Sequence, residues 1–357
     1  VSVAGAMQAG APGGETPGQE LDRQLRRQLE ILQARQLHRL RRIVDGAHGV
    51  RIRVDGRDCL NFCGNDYLGL AADPRLAEAA TAALRRDGTG SGASALVSGY
   101  NREHARLEEA LADFCGRPRA LLFSSGWAAN LGVLRALLGR GDVLLADDLN
   151  HASLIDGGRL SGAAYQRFPH RNLPAAAELL RTTRADGADR RLLLATDAVF
   201  SMDGDRADLS ALARQCADHR GILLCDDAHG FGIVGPGGRG SAQAAALGAG
   251  ELPIYVATLG KAVGTAGAFV AGSETLIDYL VQRARTWVFS TAPPPALAAA
   301  SLRALQIIAS EPERRAQLEA NVSRLRDGLR SLGIAAPPGS GPAEGPIQAA
   351  VAGLGGA

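Results

Sequence analysis

The segment ATLGKAVGTAG, from Ala257 to Gly267, contains one charged residue, Lys261, among alanine, glycine and threonine. Apolar surroundings disfavour an ammonium, and a neutral amine is a nucleophile that condenses with carbonyls. Other chemically capable residues follow short apolar runs. LCDDAHGFG sets Asp226, Asp227 and His229 at the end of one. A carboxylate in such a place needs a cation or strong hydrogen bonds. A metal is weakly indicated, because Asp-x-x-His brings no third ligand nearby. LLFSSGWAAN places Ser124, Ser125, Gly126 and Trp127 between an apolar run and a helical pattern. Free amides at a helix start attract anions, and a glycine there lets a phosphate approach the backbone; a plain N-cap is the simpler alternative. His151 follows DVLLADDLN, Thr196 and Asp197 end RLLLATD before a turn through Ser201 and Gly204, and Thr258 stands three residues before Lys261.

Taken one at a time, these are an N-cap, a chance Asp-x-x-His and a loop histidine. Together they are an anion cradle, a carboxylate for a buried cation, a histidine, hydroxyls and a poorly solvated lysine. Pyridoxal phosphate chemistry asks for that set: a lysine to form an imine, an acid to keep the pyridine nitrogen protonated, and a helix start for the phosphate.

The elements that would position these residues form a repeating pattern. Helical periodicity covers 20–43, 74–86, 102–116, 126–138, 174–184, 208–219, 274–284, 294–309 and 312–331. Seven short apolar runs lie among them: ALLF, DVLLAD, YQRF, RLLLATD, GILLCDD, IYVAT and GAFVAG. Near-continuous apolar runs mark strands covered on both faces, which predicts an α/β fold with a mostly parallel sheet and helices on each side. In such sheets ligands gather at the carboxyl ends of the strands, where the polar residues above lie. VRIRVDG alternates as a half-exposed strand turning at Asp55-Gly56, with CLNFCGNDYLGL following as strand and loop. Asp208 is placed to cap the helix after RLLLATD, and Gly221 to close it.

The 357 residues are 46% hydrophobic and 21% charged, enough for a substantial core. A net charge of +2 gives no overall pull toward nucleic acid or an anionic membrane. No stretch reaches the roughly 18 apolar residues of a membrane span. Five cysteines without a C-x-x-C pair suggest neither a disulfide framework nor zinc, and fit a reducing, cytoplasmic setting. Residues 1–19, rich in Gly, Ala and Pro, read as a disordered leader, with Met7 an alternative start.

The stretches NFCGNDYLGLA, GTGSGASALVSGYNREHARLEEALADF, LFSSGWAAN, LNHASLIDG, VFSMDGD, DDAHGFGIVGPGGRG, TLGKAVGTAG and FSTAPPP, in this order, resemble the α-oxoamine synthases, in fold type I of the pyridoxal-phosphate enzymes. The likeness runs from about residue 20 to about residue 330. It implies a large cofactor-binding domain at 66–310 and a small domain from 20–65 and 311–357. Lys261 would be the Schiff-base lysine and the base for the α-proton. Asp226 would pair with the pyridine nitrogen, His229 and Ser201 would lie on the ring-hydroxyl side, and His151 would stack on the ring. The amides of Gly126 and Trp127, with Thr258, would bind phosphate. Ser290 and Thr291 would reach the phosphate of the neighbouring subunit in a homodimer. Asn65 would lie near the site, and Arg41 would contact the acyl substrate.

The implied reaction is a decarboxylative condensation of an amino acid with an acyl thioester. ASALVSGYN points to L-alanine and a pimeloyl thioester on coenzyme A or acyl carrier protein. A sister activity using glycine or serine is the alternative. Three departures stand out. Trp127 replaces a smaller ring, KAVGTAG lacks a glycine usual after the lysine, and the chain stops short of a carboxylate-binding arginine and an acyl-chain threonine. The small domain is therefore expected to be truncated at its C-terminus, and a catalytically impaired cofactor-binding protein is a further alternative.

Overall fold

The computed structural model describes residues 15–185, 189–334 and 345–348. Among these, two sheets form. A three-stranded antiparallel sheet comprises β1 (Val44–Asp45), β2 (Arg51–Val54) and β3 (Arg57–Leu60). The turn between β2 and β3 is Asp55-Gly56, as expected, with both residues at positive φ (48° and 77°). Paired left-handed residues match the twist of a tight hairpin, which is why Asp-Gly suits it.

The second sheet holds β4 (Arg119–Phe123), β5 (Val143–Asp147), β6 (Ala164–Phe168), β7 (Leu192–Asp197), β8 (Ile222–Asp226), β9 (Ile254–Thr258) and β10 (Ala268–Gly272). These are the seven apolar runs of the sequence. Their order is β4-β10-β9-β8-β7-β5-β6, with only β10 antiparallel to its neighbours. Every residue of β5, β7 and β10 is buried. Two apolar clusters explain why. One, built on Leu145, Leu194, Leu223, Tyr255 and Phe269, packs against Leu107, Leu111 and Ile308 of the helices Arg102–Cys115 and Pro295–Ser310. The other, built on Leu144, Leu193, Leu224 and Val256, packs against Val133 and Ile277 of the helices Gly126–Leu137 and Glu274–Arg283. Alternate residues of one strand feed opposite layers, as a period of two demands.

The reversal from β9 into β10 carries Lys261. Gly267, at φ 101°, turns the chain so that Ala268 pairs with Thr258. Gly264, at φ 74°, sits so close to Ala71 N that a Cβ there would lie 2.5 Å from it. A side chain at either position would displace the lysine loop.

The sequence expectations need correction at both ends of the first helix. The first helix spans Pro17–Ala34: it starts inside the segment read as a leader and stops well before residue 43. Thr16 and Gln19 form a capping box that fixes its start, and Pro17 suits the first helical position. The leucines from 37 to 40 continue the apolar spacing without a helix, because Leu37 N bonds back to Leu32 O and ends it. The helix Leu209–Asp218 is capped by Asp208, whose side chain accepts from Ala211 N, and Gly221 N donates to Cys216 O. Gly221 thus closes the helix, after Arg220 at φ 51°. Residues 1–14 of the leader and most of the glycine-rich ending lie outside the described residues.

Candidate active site

Parallel strands share a polarity, so the residues that end them meet along one edge of the sheet. Asp197 and Asp226 are the last residues of β7 and β8 and stand opposite each other in register. Both are buried. Asp226 accepts from Asn130 Nδ2 (2.6 Å) and from Ala228 N (3.0 Å). Asp197 accepts from His151 N (2.8 Å). Burial, and then the neighbouring Asp226 charge, pushes the Asp197 carboxyl well above its usual range. Lys261 is half-buried. Burial lowers its pKa, opposed by the charges of Asp226 and Asp197. The amine flagged by its bland neighbours is thus held closer to its neutral, nucleophilic form.

His229, three residues beyond Asp226, is held neutral. Burial, then the charges of Lys261 and His151, push its pKa down to about 3. Its Nδ1 lies 2.7 Å from the Tyr67 hydroxyl, which also reaches Asn65 Oδ1 at 3.1 Å. Asn65, Tyr67 and His229 therefore form one chain of hydrogen bonds. His151 caps the helix Ala152–Ser161 and contacts Ser153 Oγ (2.7 Å). Ser153 Oγ accepts from Asn130 Nδ2 (2.8 Å), the same group that holds Asp226. A polar relay, His151–Ser153–Asn130–Asp226, runs beneath the site.

At the end of β4, Ser125 caps the helix Gly126–Leu137 by accepting from Ala128 N (3.1 Å). The amides of Gly126 and Trp127 lie in the turn where an α-helix has no carbonyl for its N–H groups. A Cβ on Gly126 would meet nothing within 4 Å, so the approach is open. Trp127 stands edge-on to His151, with ring centroids 6.3 Å apart. Thr258 is half-buried, and its hydroxyl donates to Gly267 O (3.0 Å), which commits its one proton inside the lysine loop.

Other residues singled out from the sequence share no hydrogen bond with this cluster among the described residues. Ser201 is exposed on the turn after β7, and Arg41 is exposed between the first helix and β1. Ser290 donates to Thr286 O (2.7 Å), and Thr291 bridges to Ser94. These two line a small recess of about 20 Å3 with Tyr100, His104, Glu108 and Ser124. Sequence reasoning missed Asn130 and Tyr67. Asn130 had a signal: it is a polar residue within the apolar first two turns of its helix, and it is fully buried. Tyr67 had none, since its partner lies 162 residues away.

The donor set fits pyridoxal phosphate. Asp226 has lone pairs left for a protonated ring nitrogen, Lys261 is a desolvated amine, and the helix start offers an anion site. Fold and site together define a fold type I pyridoxal-phosphate enzyme. Residues 57–342 match the family model for aminotransferase class I and II, and the chain belongs to that family. Within it the chain belongs with the 8-amino-7-oxononanoate synthases, pyridoxal-phosphate-dependent acyltransferases. It is 53% identical over 325 residues to the 8-amino-7-oxononanoate synthase of Methylococcus capsulatus, covering 91% of this chain and 82% of that one. Among solved structures, a serine palmitoyltransferase from S. paucimobilis with bound PLP and myriocin superposes with TM-score 0.80 at 28% identity, covering 88% of this chain and 79% of that one. The 8-amino-7-oxononanoate synthase of Francisella tularensis gives TM-score 0.67 at 32% identity, covering 77% of each chain.

Proposed function

We propose that the chain condenses L-alanine with a pimeloyl thioester, on coenzyme A or acyl carrier protein, to give 8-amino-7-oxononanoate, carbon dioxide and a free thiol. The observation that carries this reading is a desolvated Lys261 beside the Asp226–Asp197 pair at one end of a parallel sheet. When bound, the cofactor supplies an electron sink for the carbon that loses its proton.

The rest is the work of the protein's side chains. Lys261 would hold the cofactor covalently, and its Nζ, when free, would take the α-proton. Asp226, oriented by Asn130, would accept a hydrogen bond from the ring nitrogen and keep it protonated. Such a fixed charge, already in place before reaction, costs no reorganisation when negative charge develops. His229 and Ser201 serve the ring-hydroxyl side, with Tyr67 orienting the imidazole. His151 covers the ring. Gly126 and Trp127 amides hold the phosphate, and Thr258 joins them if its hydroxyl turns from Gly267 O. Asn65 and Arg41 serve the substrate side. Residues 20–65 and 311–357 act as a small domain against 66–310.

A homodimer belongs to this reading, with Ser290 and Thr291 reaching the partner's phosphate. In its favour, Leu96, Val97 and Phe289 are exposed beside those residues, and apolar surface of this kind favours a protein contact. Among the described residues no helix is long and apolar enough to cross a membrane.

A sister activity with serine or glycine is the second reading, favoured by the higher TM-score to serine palmitoyltransferase. Assays pairing alanine, glycine and serine with matched acyl thioesters separate the two. Alanine with pimeloyl thioester is expected to be the productive pair; turnover with glycine or serine alone overturns the choice. Lys261→Ala is expected to abolish turnover and leave no mass adduct after borohydride reduction of the holoprotein. An adduct on another residue ends the proposal.

A further inference from the structure

His170 lies two residues beyond β6, outside the cluster described above. Its ring bridges two carboxylates: Nδ1 is 2.8 Å from Asp147 Oδ1, and Nε2 is 2.9 Å from Asp205 Oδ2. Both aspartates are about as buried as residues become, each 1% exposed. A neutral imidazole has one N–H and would turn a lone pair toward one of those carboxylates, whereas an imidazolium donates to both. The ring is also held by its neighbours, packing edge-on to Phe200 with centroids 4.4 Å apart. Arg171 supports the same two acids, its backbone N donating to Asp147 Oδ2 and its Nη1 to Asp205 Oδ2 (2.8 and 2.9 Å).

The two aspartates belong to different loops of the site. Asp147 ends β5 and begins the loop that delivers His151; it also accepts from Leu149 N within that loop (2.9 Å). Asp205 closes the turn that carries Ser201, where Phe200 N donates to Asp205 O (3.0 Å) and Gly204 N to Phe200 O (2.9 Å). β5 and β7 pair as far as Ala146 and Ala195, and Asn150 and His151 bond to β7 at Ala195 and Asp197; the His170 bridge ties the loops farther out, at Asp205.

We propose that His170, as an imidazolium, is a positioning residue: by bridging Asp147 and Asp205 it locks the His151 loop to the Ser201 loop and so presets both for the cofactor. The cofactor part of this inference rests on the roles proposed above for His151 and Ser201; the lock itself does not.

The charge count supports it. Two buried carboxylates face one imidazolium and one guanidinium, so removing the imidazolium leaves two acids with a single cation. The other charged groups on these elements are the exposed Arg167–Asp148 pair (3.3 Å), Asp203 and Arg206 on the Ser201 turn, and Asp197, which meets His151 from β7. Burial opposes a charge on His170, but the bonds to Asp147 and Asp205 outweigh it and raise its pKa. With a raised folded pKa, the stabilisation is complete below the unfolded value and is lost as pH rises through the folded one.

The test uses the full chain in two forms. In the cofactor-free protein, hydrogen exchange over 147–151 and 199–206 reads the lock directly. His170→Gln is expected to speed exchange in both segments, while exchange in β7 and β8 stays at the wild-type rate. His170→Arg, a permanent cation, is expected to keep much of the protection and to remove its decline at high pH. In the holoprotein, His170→Gln is expected to weaken pyridoxal phosphate binding about tenfold, the consequence of one buried partner lost. Wild-type exchange rates in His170→Gln overturn the lock. Faster exchange with unchanged cofactor affinity keeps the lock but overturns its role toward the cofactor, and with it the assignment of those loops. Should His170→Gln fail to fold, 15N spectra of the wild-type imidazole at neutral pH decide: two protonated nitrogens support the bridge, and a neutral ring overturns it.

Discussion

Asp197 and Asp226 face each other at the ends of neighbouring parallel strands, and the charges of both act on Lys261. Burial raises the pKa of the Asp197 carboxyl and lowers that of the Lys261 amine. The structure divides the roles through hydrogen bonds. Asp226 receives a side-chain donor from Asn130, while Asp197 receives the backbone N–H of His151 and is pushed toward its protonated form. In the role proposed above, Asp226 faces the cofactor ring while Asp197 holds the His151 loop.

Asp226→Asn tests the first half of that division. An amide in its place offers no fixed negative charge to the ring nitrogen. Cofactor binding is expected to persist, weakened, while kcat falls at least about a hundredfold, the scale seen when a preorganised electrostatic group is removed. Steady-state kinetics at saturating cofactor provide the check; a wild-type rate would show that the nitrogen needs no carboxylate.

The neutral state of His229 gives a pH prediction for the cofactor-free protein. Its folded pKa, about 3, lies below the ordinary value of 6.5, so the unfolded chain binds the proton more readily. Stability from this residue is therefore present above 6.5 and is lost as pH falls toward 3. His229→Gln is expected to flatten the acid side of the stability curve. Thermal unfolding between pH 4 and 8 measures it, and an unchanged acid slope would contradict the assignment.

Tyr67→Phe removes the hydroxyl that lies 2.7 Å from His229 Nδ1. The imidazole then loses the partner that fixes its orientation. Activity is expected to drop about tenfold, with a cost of about 1 kcal/mol in folding stability. Equal kcat and KM in the variant and the wild type would remove Tyr67 from the site.

Behind Asp226 lies Asp227, fully buried and bonded by Ser241 N, Ser241 Oγ and Tyr255 OH (2.6, 2.6 and 2.7 Å). Burial nonetheless raises its pKa to about 6. Tyr255→Phe is expected to cost about 1–3 kcal/mol, because a buried acceptor loses one donor. Denaturant unfolding gives the number; a loss within error of zero would mean that Ser241 alone satisfies the carboxylate.

The glycine at 264 makes a backbone prediction. Gly264→Ala would place a Cβ against Ala71 N and force a left-handed alanine. A loss of roughly 1–3 kcal/mol is expected, with the Lys261 loop displaced. Unchanged melting together with unchanged imine absorbance at Lys261 would show that the contact is slack.

The amino-acid sequence alone determined the seven strands, most helices and the position of Lys261, Asp226 and the helix start at Gly126. Those features are written locally: apolar runs of strand length, caps such as Asp208, and a lone amine among small residues. The first helix shows where local pattern misleads. Leucine spacing continues past Ala34, but a single backbone bond from Leu37 to Leu32 stops the helix. Only the tertiary structure decided that Asn130 would hold Asp226, that Tyr67 would reach His229, and that His170 would bridge Asp147 and Asp205. Each of those bonds joins groups far apart in the chain, brought together by the order in which parallel strands are laid side by side. That order depends on how helices and strands pack into two apolar layers, a property of the whole molecule that no short stretch of residues contains.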